Sequence, residues 1–178
     1  MIDPIRELNI RAKLLHHDVA AGVPAGTLRL RALPELRRAS AEEVAAFASR
    51  AQRKHCLAAV AREAGFQGWD HATRVLGGDE GEPDQGELLC PREAASFLNQ
   101  WFASYGEARE AHRAQGGYLL GYRRQCFIAG RDYVASTLGL DPDDADWIAL
   151  GFDWIRPRSA PARRSLYGKL LARKRAAA

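Results

Sequence analysis

Long apolar runs, cysteine and lysine are scarce in this chain of 178 residues, and each scarcity argues against a class of protein. No apolar run approaches the length of about 18 residues that a membrane-spanning helix needs, so no such helix is predicted. No apolar stretch follows a basic start at the N-terminus, and a secretion signal is therefore not expected. These features predict a cytoplasmic protein.

The cysteines are odd in number and widely separated, at Cys56, Cys90 and Cys126. Without a secretion signal we expect reduced thiols. No pair has the C-x-x-C spacing of a thiolate zinc site or a thioredoxin motif, so neither is predicted. Cys90 precedes Pro91 near a predicted helix start, where the helix dipole could favour a thiolate; the alternative is an ordinary loop cysteine.

Arginine outnumbers lysine by 22 to 4, and alanine occurs 32 times. Arg, Ala, Gly and Pro all have GC-rich codons, so a bacterial genome rich in GC explains the arginine excess. The excess is therefore weak evidence for nucleic-acid binding. Apolar residues make up 47% of the chain and charged residues 27%, a composition that predicts a folded core.

Residues 77–87 divide the chain, because they hold four glycines, one proline and five acids but no apolar side chain. Such a segment cannot enter a core, and we predict an exposed linker there. The predicted domains are 1–76 and 88–178. Only 4 of the 15 aromatic residues precede residue 100, so the second domain should have the denser core.

Helical spacing dominates the first domain. Ser40 and Glu43 form a capping-box pattern, and Gly65 is a predicted helix end. Residues 25–38 are predicted to be a loop. The expected helices run from about 4 to 19, from 41 through the forties, from the mid-fifties to 64, and from 69 to 76.

A family resemblance is carried by Leu57, Ala61, the pair Gly65–Phe66 and the pair Trp69–Asp70, preceded by the helix from Ser40. Residues 39–76 resemble a small bacterial helical domain usually labelled glyoxalase-related. The resemblance implies a helical fold and a bacterial source. It does not imply glyoxalase chemistry, since the label reflects neighbouring domains in that family. The second half is similar to uncharacterised conserved bacterial proteins, which suggest no activity.

The second half mixes helical and strand patterns. We predict a helix over 91–115, a strand or hairpin over 118–129 that bends near Arg123–Arg124, and a helix over 131–138 that ends at Gly139. Asp141 is predicted to cap a further helix, and the last helix should run from about 162 to 174. The fold class is therefore α+β, mostly α, with helices around a small hairpin or short sheet.

Metal and catalytic motifs are not evident in the sequence. The five histidines do not form the set that a glyoxalase site needs, and adjacent His16 and His17 point to different faces of a helix. The acids between Asp141 and Asp146 fit helix capping better than a calcium loop. No nucleophile elbow or P-loop occurs. We therefore predict no catalytic residues, metal or cofactor.

Charge is concentrated at the C-terminus, where Arg156 to Arg175 contains eight basic residues and no acid. Since the whole chain is only +4, the rest of the protein is net acidic. A helix with this pattern can bind an acidic partner. The candidate residues for binding an anionic partner are Arg123, Arg124, Arg156, Arg163, Arg164 and Lys169.

The leading hypothesis is a non-catalytic interaction module that binds an acidic partner through its C-terminal basic helix. One alternative is a nucleic-acid-binding protein. Another is an enzyme with a site around Tyr122, Arg123, Arg124 and Asp153. The partner or substrate and the oligomeric state are left open.

Overall fold

The computed structural model describes residues 3–79, 81–91 and 97–176, with side chains described as far as Arg173. Residues Ile5–Thr73 form one compact unit, and the chain from Arg74 onward belongs to a second. The domain bounds predicted at residues 76 and 88 stay a prediction. None of the helices in these described ranges has the length and apolar character that a membrane crossing requires.

The first unit is built from helices. Its first helix buries one apolar stripe, Leu8, Ala12, Leu15 and Val19, as the spacing of three and four residues predicts. The helices are α1 (Pro4–Ala20), α2 (Pro24–Arg29), α3 (Ala41–Ala48), α4 (Arg53–Glu63) and α5 (Trp69–Gly77), the last of which extends beyond the unit.

The predicted capping box at the start of α3 is confirmed. The Glu43 backbone N–H donates to Ser40 Oγ at 3.1 Å, and the Ser40 backbone N–H donates to Glu43 Oε2 at 2.6 Å. These two bonds satisfy donors that the first turn of a helix leaves without partners. They also hold the pKa of the Glu43 carboxyl below its usual value.

The loop predicted for residues 25–38 is wrong. The segment contains α2 followed by two 3₁₀ turns, Leu30–Ala32 and Pro34–Leu36. Leu30, Leu33 and Leu36 are all buried. Their spacing of three residues matches the period of a 3₁₀ helix, so each turn directs a leucine inward without forming a longer helix.

The second unit confirms the mostly helical α+β class. It packs helices around one small antiparallel sheet in the order β1–β3–β2. Its elements are β1 (Gln100–Phe102), α6 (Tyr105–Gln115), β2 (Tyr118–Tyr122), β3 (Gln125–Ala129), a π-helical turn (Tyr133–Leu138), α7 (Ala145–Leu150) and α8 (Ala160–Ala176).

The predicted hairpin is confirmed, and its two faces pack against different parts of the unit. Arg123 adopts a φ of +50° in the turn between β2 and β3. On one face, Leu119, Cys126 and Ile128 pack with Ala108 of α6. On the other face, Phe127 is covered by a stacked Trp101 ring at 4.7 Å between centroids.

The helix predicted over 91–115 is wrong as a single element. Residues 92–96 lie outside the described residues, and Gln100–Phe102 form a strand that pairs with β3. The helix begins only after Ser104, whose extended backbone stops any continuous helix and whose hydroxyl accepts from the Glu107 N–H at 3.3 Å. Trp101 and Phe102 fit a strand as well as a helix face, so strand pairing decided the outcome.

The predicted cap at Asp141 is also wrong, because Asp144 caps α7 and accepts from the Asp146 N–H at 3.1 Å. Asp141 instead accepts from the Asp143 N–H at 2.9 Å, in the turn before the helix. Its carbonyl accepts from Trp147 Nε1 at 3.0 Å, which ties this turn to the buried Trp147 ring.

The acidic segment 81–87 contacts the hairpin within the second unit. The Gln85 N–H donates to the Arg123 carbonyl, and the Arg123 N–H donates to the Gly86 carbonyl, each at 2.8 Å. The Gln85 side chain lies over Gly121, where a Cβ would be only 2.7 Å from its Cγ. The residue types of this segment do not indicate these contacts.

The predicted C-terminal helix is confirmed as α8, and its apolar face is buried. Leu166, Leu170 and Leu171 are almost fully covered, and the Tyr167 ring packs edge-on against Trp154 at 4.8 Å. Farther along, Arg173 Nη1 donates to the Gly139 carbonyl at 3.0 Å. The helix is therefore docked along its length on its own unit.

Two equally buried tyrosines give a test of this core. Tyr133 and Tyr167 are each 1% exposed. The Tyr133 hydroxyl donates to the Leu89 carbonyl at 2.7 Å, whereas the Tyr167 hydroxyl lies beside the Trp154 indole and makes no hydrogen bond of normal geometry in the described part of the chain. Tyr133→Phe should therefore lower the free energy of unfolding by about 1 kcal/mol, and Tyr167→Phe should leave it unchanged or raise it. Urea unfolding measures both, and equal losses would contradict the assignment.

Candidate functional site

One face of α6 carries the first part of the candidate site. Tyr105, Arg109 and Arg113 are spaced four residues apart and therefore lie on the same side of the helix. Ala108, on the neighbouring face, is fully buried against the sheet. Packing of this small residue sets the rotation of α6, so the tyrosine and the two arginines line an open cleft.

The Asp153 carboxylate connects α6 to the chain segment that precedes α8. Its Oδ2 accepts from the Tyr105 hydroxyl at 2.6 Å, and its Oδ1 accepts from the backbone N–H groups of Ile155 and Arg156 at 3.1 and 2.9 Å. Asp153 also pairs with Leu119 in a parallel bridge along the outer edge of β2. Strand β2 thus holds the carboxylate in place.

The Asp153 turn presents Arg156 to the cleft. The Arg156 guanidinium lies over the Tyr105 ring, 4.5 Å from its centroid. A guanidinium at this distance is attracted to the negative face of an aromatic ring. The ring contact and the backbone bond to Asp153 together restrict where the Arg156 charge can lie.

Tyr105 titrates abnormally in this setting. Burial, the hydrogen bond to Asp153 and the charge of that carboxylate raise the pKa of Tyr105 to about 12, while the charges of Arg109 and Arg156 oppose the shift. The phenol is therefore protonated at neutral pH and acts as a hydrogen-bond donor to Asp153.

Arg158 reaches the same cleft across a glycine. Gly151 has a φ of +74°, and a Cβ there would lie 3.0 Å from Arg158 Cδ and Nε. A side chain at this position would be strained and would also crowd Arg158. The Arg158 N–H donates to the Leu150 carbonyl at 3.1 Å, which holds the arginine beside the end of α7.

These side chains border one cavity of about 710 Å³. We call it the arginine cleft and define it by Tyr105, Arg109, Arg113, Asp153, Arg156 and Arg158. Arg131 also lines it, but two hydrogen bonds of 2.8 and 2.5 Å pair its guanidinium with Asp143. This ion pair holds the pKa of the Asp143 carboxyl below its usual value.

The other guanidiniums of the arginine cleft differ from Arg131. Among the described residues, no ion pair or side-chain hydrogen bond involves the guanidiniums of Arg109, Arg113, Arg156 or Arg158. Asp153 is the acidic residue among the lining side chains, and its oxygens already accept three hydrogen bonds. The cleft therefore has an uncompensated positive charge.

Four of the arginines singled out from the sequence lie around a second cavity, of about 700 Å³. Arg123, Arg124, Arg156 and Arg163 line it together with Asp79 and Glu82. Arg123 is paired with Glu87, and Arg163 Nη1 donates to the Trp154 carbonyl at 3.2 Å. The Arg123–Glu87 ion pair and the nearby acids reduce the positive charge at this cavity, whereas Arg124 and Arg156 have no ion-pair partner among the described residues.

The two remaining candidates, Arg164 and Lys169, line neither cavity. Lys169 forms ion pairs with both Asp144 and Asp146, the second at 2.7 Å. Arg164 is exposed on α8. The structure therefore does not bring the six predicted residues together at one site.

The residues of the enzyme site predicted as an alternative do not line one common cavity either. Asp153 lies in the arginine cleft, and Arg123 and Arg124 lie at the second cavity. Tyr122 lines neither of these two cavities. Asp153 and the two arginines thus line different cavities, which share Tyr105 and Arg156 in their walls.

Four residues of the arginine cleft were not among the candidates predicted from the sequence: Tyr105, Arg109, Arg113 and Arg158. The available signal was the spacing of Tyr105, Arg109 and Arg113, which puts a tyrosine and two arginines on one helix face. A spacing of this kind is common on solvated helices. It becomes informative only when Asp153, 40 residues later in the chain than Arg113, is known to lie beside it.

The cysteine thiols lack the features of reactive groups. Burial is the largest influence on Cys90 and Cys126, and it raises the pKa of both thiols. The raised pKa of Cys90 argues against the thiolate hypothesis for that residue. Within the described ranges, no three His, Cys, Asp or Glu side chains cluster closely enough to hold a metal ion.

Comparison of the chain with protein-family models, curated proteins and solved structures finds no match. The resemblance of residues 39–76 to the glyoxalase-related helical domain stays a prediction. The arginine cleft must therefore be interpreted from its own geometry and charge.

The hydrogen bond between Tyr105 and Asp153 should make the stability of the protein depend on pH in the alkaline range. Because the pKa of Tyr105 is raised from 10.0 to about 12, its contribution to stability is present below pH 10 and is lost as pH rises towards 12. The difference in unfolding free energy between the native protein and Tyr105→Phe should shrink over this range. The difference in phenolate absorbance between the native protein and Tyr105→Phe isolates the Tyr105 titration from the other four tyrosines, and Asp153→Asn should bring its midpoint closer to 10. A Tyr105 midpoint already near 10 in the native protein would refute the assignment.

Proposed function

We propose that this protein is a non-catalytic interaction module that binds an anionic partner in the arginine cleft. The observation that supports this function is the convergence of Arg109, Arg113, Arg156 and Arg158 on one cavity without an ion-pair partner among the described residues. All four side chains are exposed and line one cavity, so an anion can approach several guanidiniums from solvent. Guanidinium groups also match carboxylate and phosphate oxygens by forming paired hydrogen bonds.

The hydrogen bonding of the cleft favours binding over acid–base catalysis by its central pair. Both Asp153 oxygens already accept hydrogen bonds from groups of this chain, so the carboxylate is engaged in holding its donors in place. Tyr105, with a pKa of about 12, keeps its proton at neutral pH. The pair instead positions Arg156.

The arginine cleft is a better candidate surface than α8 itself. Lys169, Arg163 and Arg173 of α8 bond to oxygens of the same unit. A partner that bound along the helix would have to replace these contacts. Among the described residues, the four guanidiniums of the arginine cleft make no ion pair or side-chain hydrogen bond that a partner would have to break.

Citrate, a compact carboxylate anion, provides a test. At constant ionic strength, citrate should raise the melting temperature of the native protein, because binding to the folded state stabilises it. The double variant Arg109→Ala/Arg156→Ala should lose this response. Thermal unfolding followed by circular dichroism measures both.

The matched control is Arg37→Ala/Arg38→Ala, which removes the same charge from two exposed positions of the first unit. This control should respond to citrate as the native protein does. An equal response of the two double variants would show that the cleft is not the binding site and would overturn the proposal.

A further inference from the structure

We infer that the arginine cleft takes a small molecule that carries two adjacent phosphate groups. This inference rests on the proposed function, since it names the ligand of the same cleft. Three properties of the site support this inference. They are the distribution of its four arginines over two elements, the positive charge that no acidic side chain of the described residues neutralises, and the size and walls of the cavity.

The four arginines that have no ion-pair partner in the described part of the chain lie two by two on two different elements. Arg109 and Arg113 are one helical turn apart on α6, and Arg156 and Arg158 are two residues apart in the segment before α8. A phosphoryl group has several acceptor oxygens and commonly binds more than one guanidinium. We therefore expect each of these two elements to contribute to the binding of one phosphate group.

The charge of the cleft favours phosphate over carboxylate. Four unpaired guanidiniums face a single lining carboxylate, Asp153, so the ligand must supply several negative charges in a small volume. A terminal phosphoryl group carries a charge of about −1.5 to −2 near neutral pH, and a carboxylate only −1. Two phosphates can match the cleft with fewer groups than a polycarboxylate needs.

The size of the cavity favours a small molecule over a polymer. Its volume of about 710 Å³ lies within the range of about 300–1,000 Å³ that is typical of small-molecule sites. Gly116 and Gly130 lie in its wall, and a Cβ built at either would have no neighbouring atom within 4 Å. The backbone here faces open space, where a compact anion can approach it closely.

Isothermal titration calorimetry of the full chain tests the inference, with pyrophosphate, orthophosphate and citrate as probes at equal ionic strength. Pyrophosphate should bind with a Kd at least tenfold lower than either of the others. Arg109→Ala and Arg156→Ala should each weaken pyrophosphate binding at least tenfold. Arg109→Lys, which keeps the charge but loses the planar fork, should weaken it by a smaller factor.

The controls separate this inference from the proposed function. Arg37→Ala should leave the pyrophosphate Kd unchanged, and melting temperatures check that each variant is folded. Citrate that binds as tightly as pyrophosphate, with both lost in Arg109→Ala, would overturn the diphosphate ligand and leave anion binding at the cleft intact. If no probe binds in a way that depends on Arg109 or Arg156, both proposals fail.

A polymer is the remaining alternative, and the same variants test it. A single-stranded oligonucleotide should bind more weakly than pyrophosphate, and its affinity should fall steeply with salt. An oligonucleotide that binds tenfold more tightly than pyrophosphate, and loses that affinity in Arg109→Ala, would overturn the inference of a small ligand.

Discussion

The second unit depends on the position of one buried carboxylate. Asp153 is 9% exposed, and it accepts hydrogen bonds from the Tyr105 hydroxyl and from two backbone N–H groups. A carboxylate removed from water requires partners of this kind, because an unpaired buried charge is costly. These bonds connect α6 to the segment before α8, and the backbone bonds of Leu119 to Phe152 and Trp154 connect that segment to the edge of β2. Arginines from separate parts of the chain thereby line one cavity.

The same constraint explains how this unit distributes its positive charge. On α8, Lys169 pairs with Asp144 and Asp146, and Arg163 bonds to the Trp154 carbonyl. The unpaired guanidiniums of the arginine cleft lie instead on α6 and on the segment that Asp153 organises. A count of basic residues along the chain therefore overestimates the charge that α8 can offer and overlooks the cleft.

The parts of the fold that were predicted correctly depend on local chemistry. The stripe of α1, the Ser40–Glu43 capping box and the β2–β3 hairpin are encoded within a few residues of one another, so spacing and residue type are sufficient. The continuous helix over 91–115 failed for the opposite reason. Gln100–Phe102 become a strand because β3, about 25 residues later in the chain, supplies their hydrogen-bond partners.

The candidate site was predicted only in part. Arg156 was identified from the basic C-terminal segment, and Asp153 was named in the enzyme alternative. Arg109 and Arg113 were missed, because an arginine on a solvated helix has no special significance until its neighbours are known. The acidic segment 77–87 presented the same difficulty, since no residue in it signals the contacts that Gln85 and Gly86 make with Arg123.

The sequence by itself determined the mostly helical α+β class, the start of α3 at its capping box and the concentration of basic residues from Arg156 onward. Only the tertiary structure decided which of those basic residues remain without a partner. The physical reason is that helix caps and apolar stripes satisfy short-range requirements of the backbone and the core. The pairing of a long charged side chain depends on carboxylates and carbonyls that folding brings near it from distant parts of the chain.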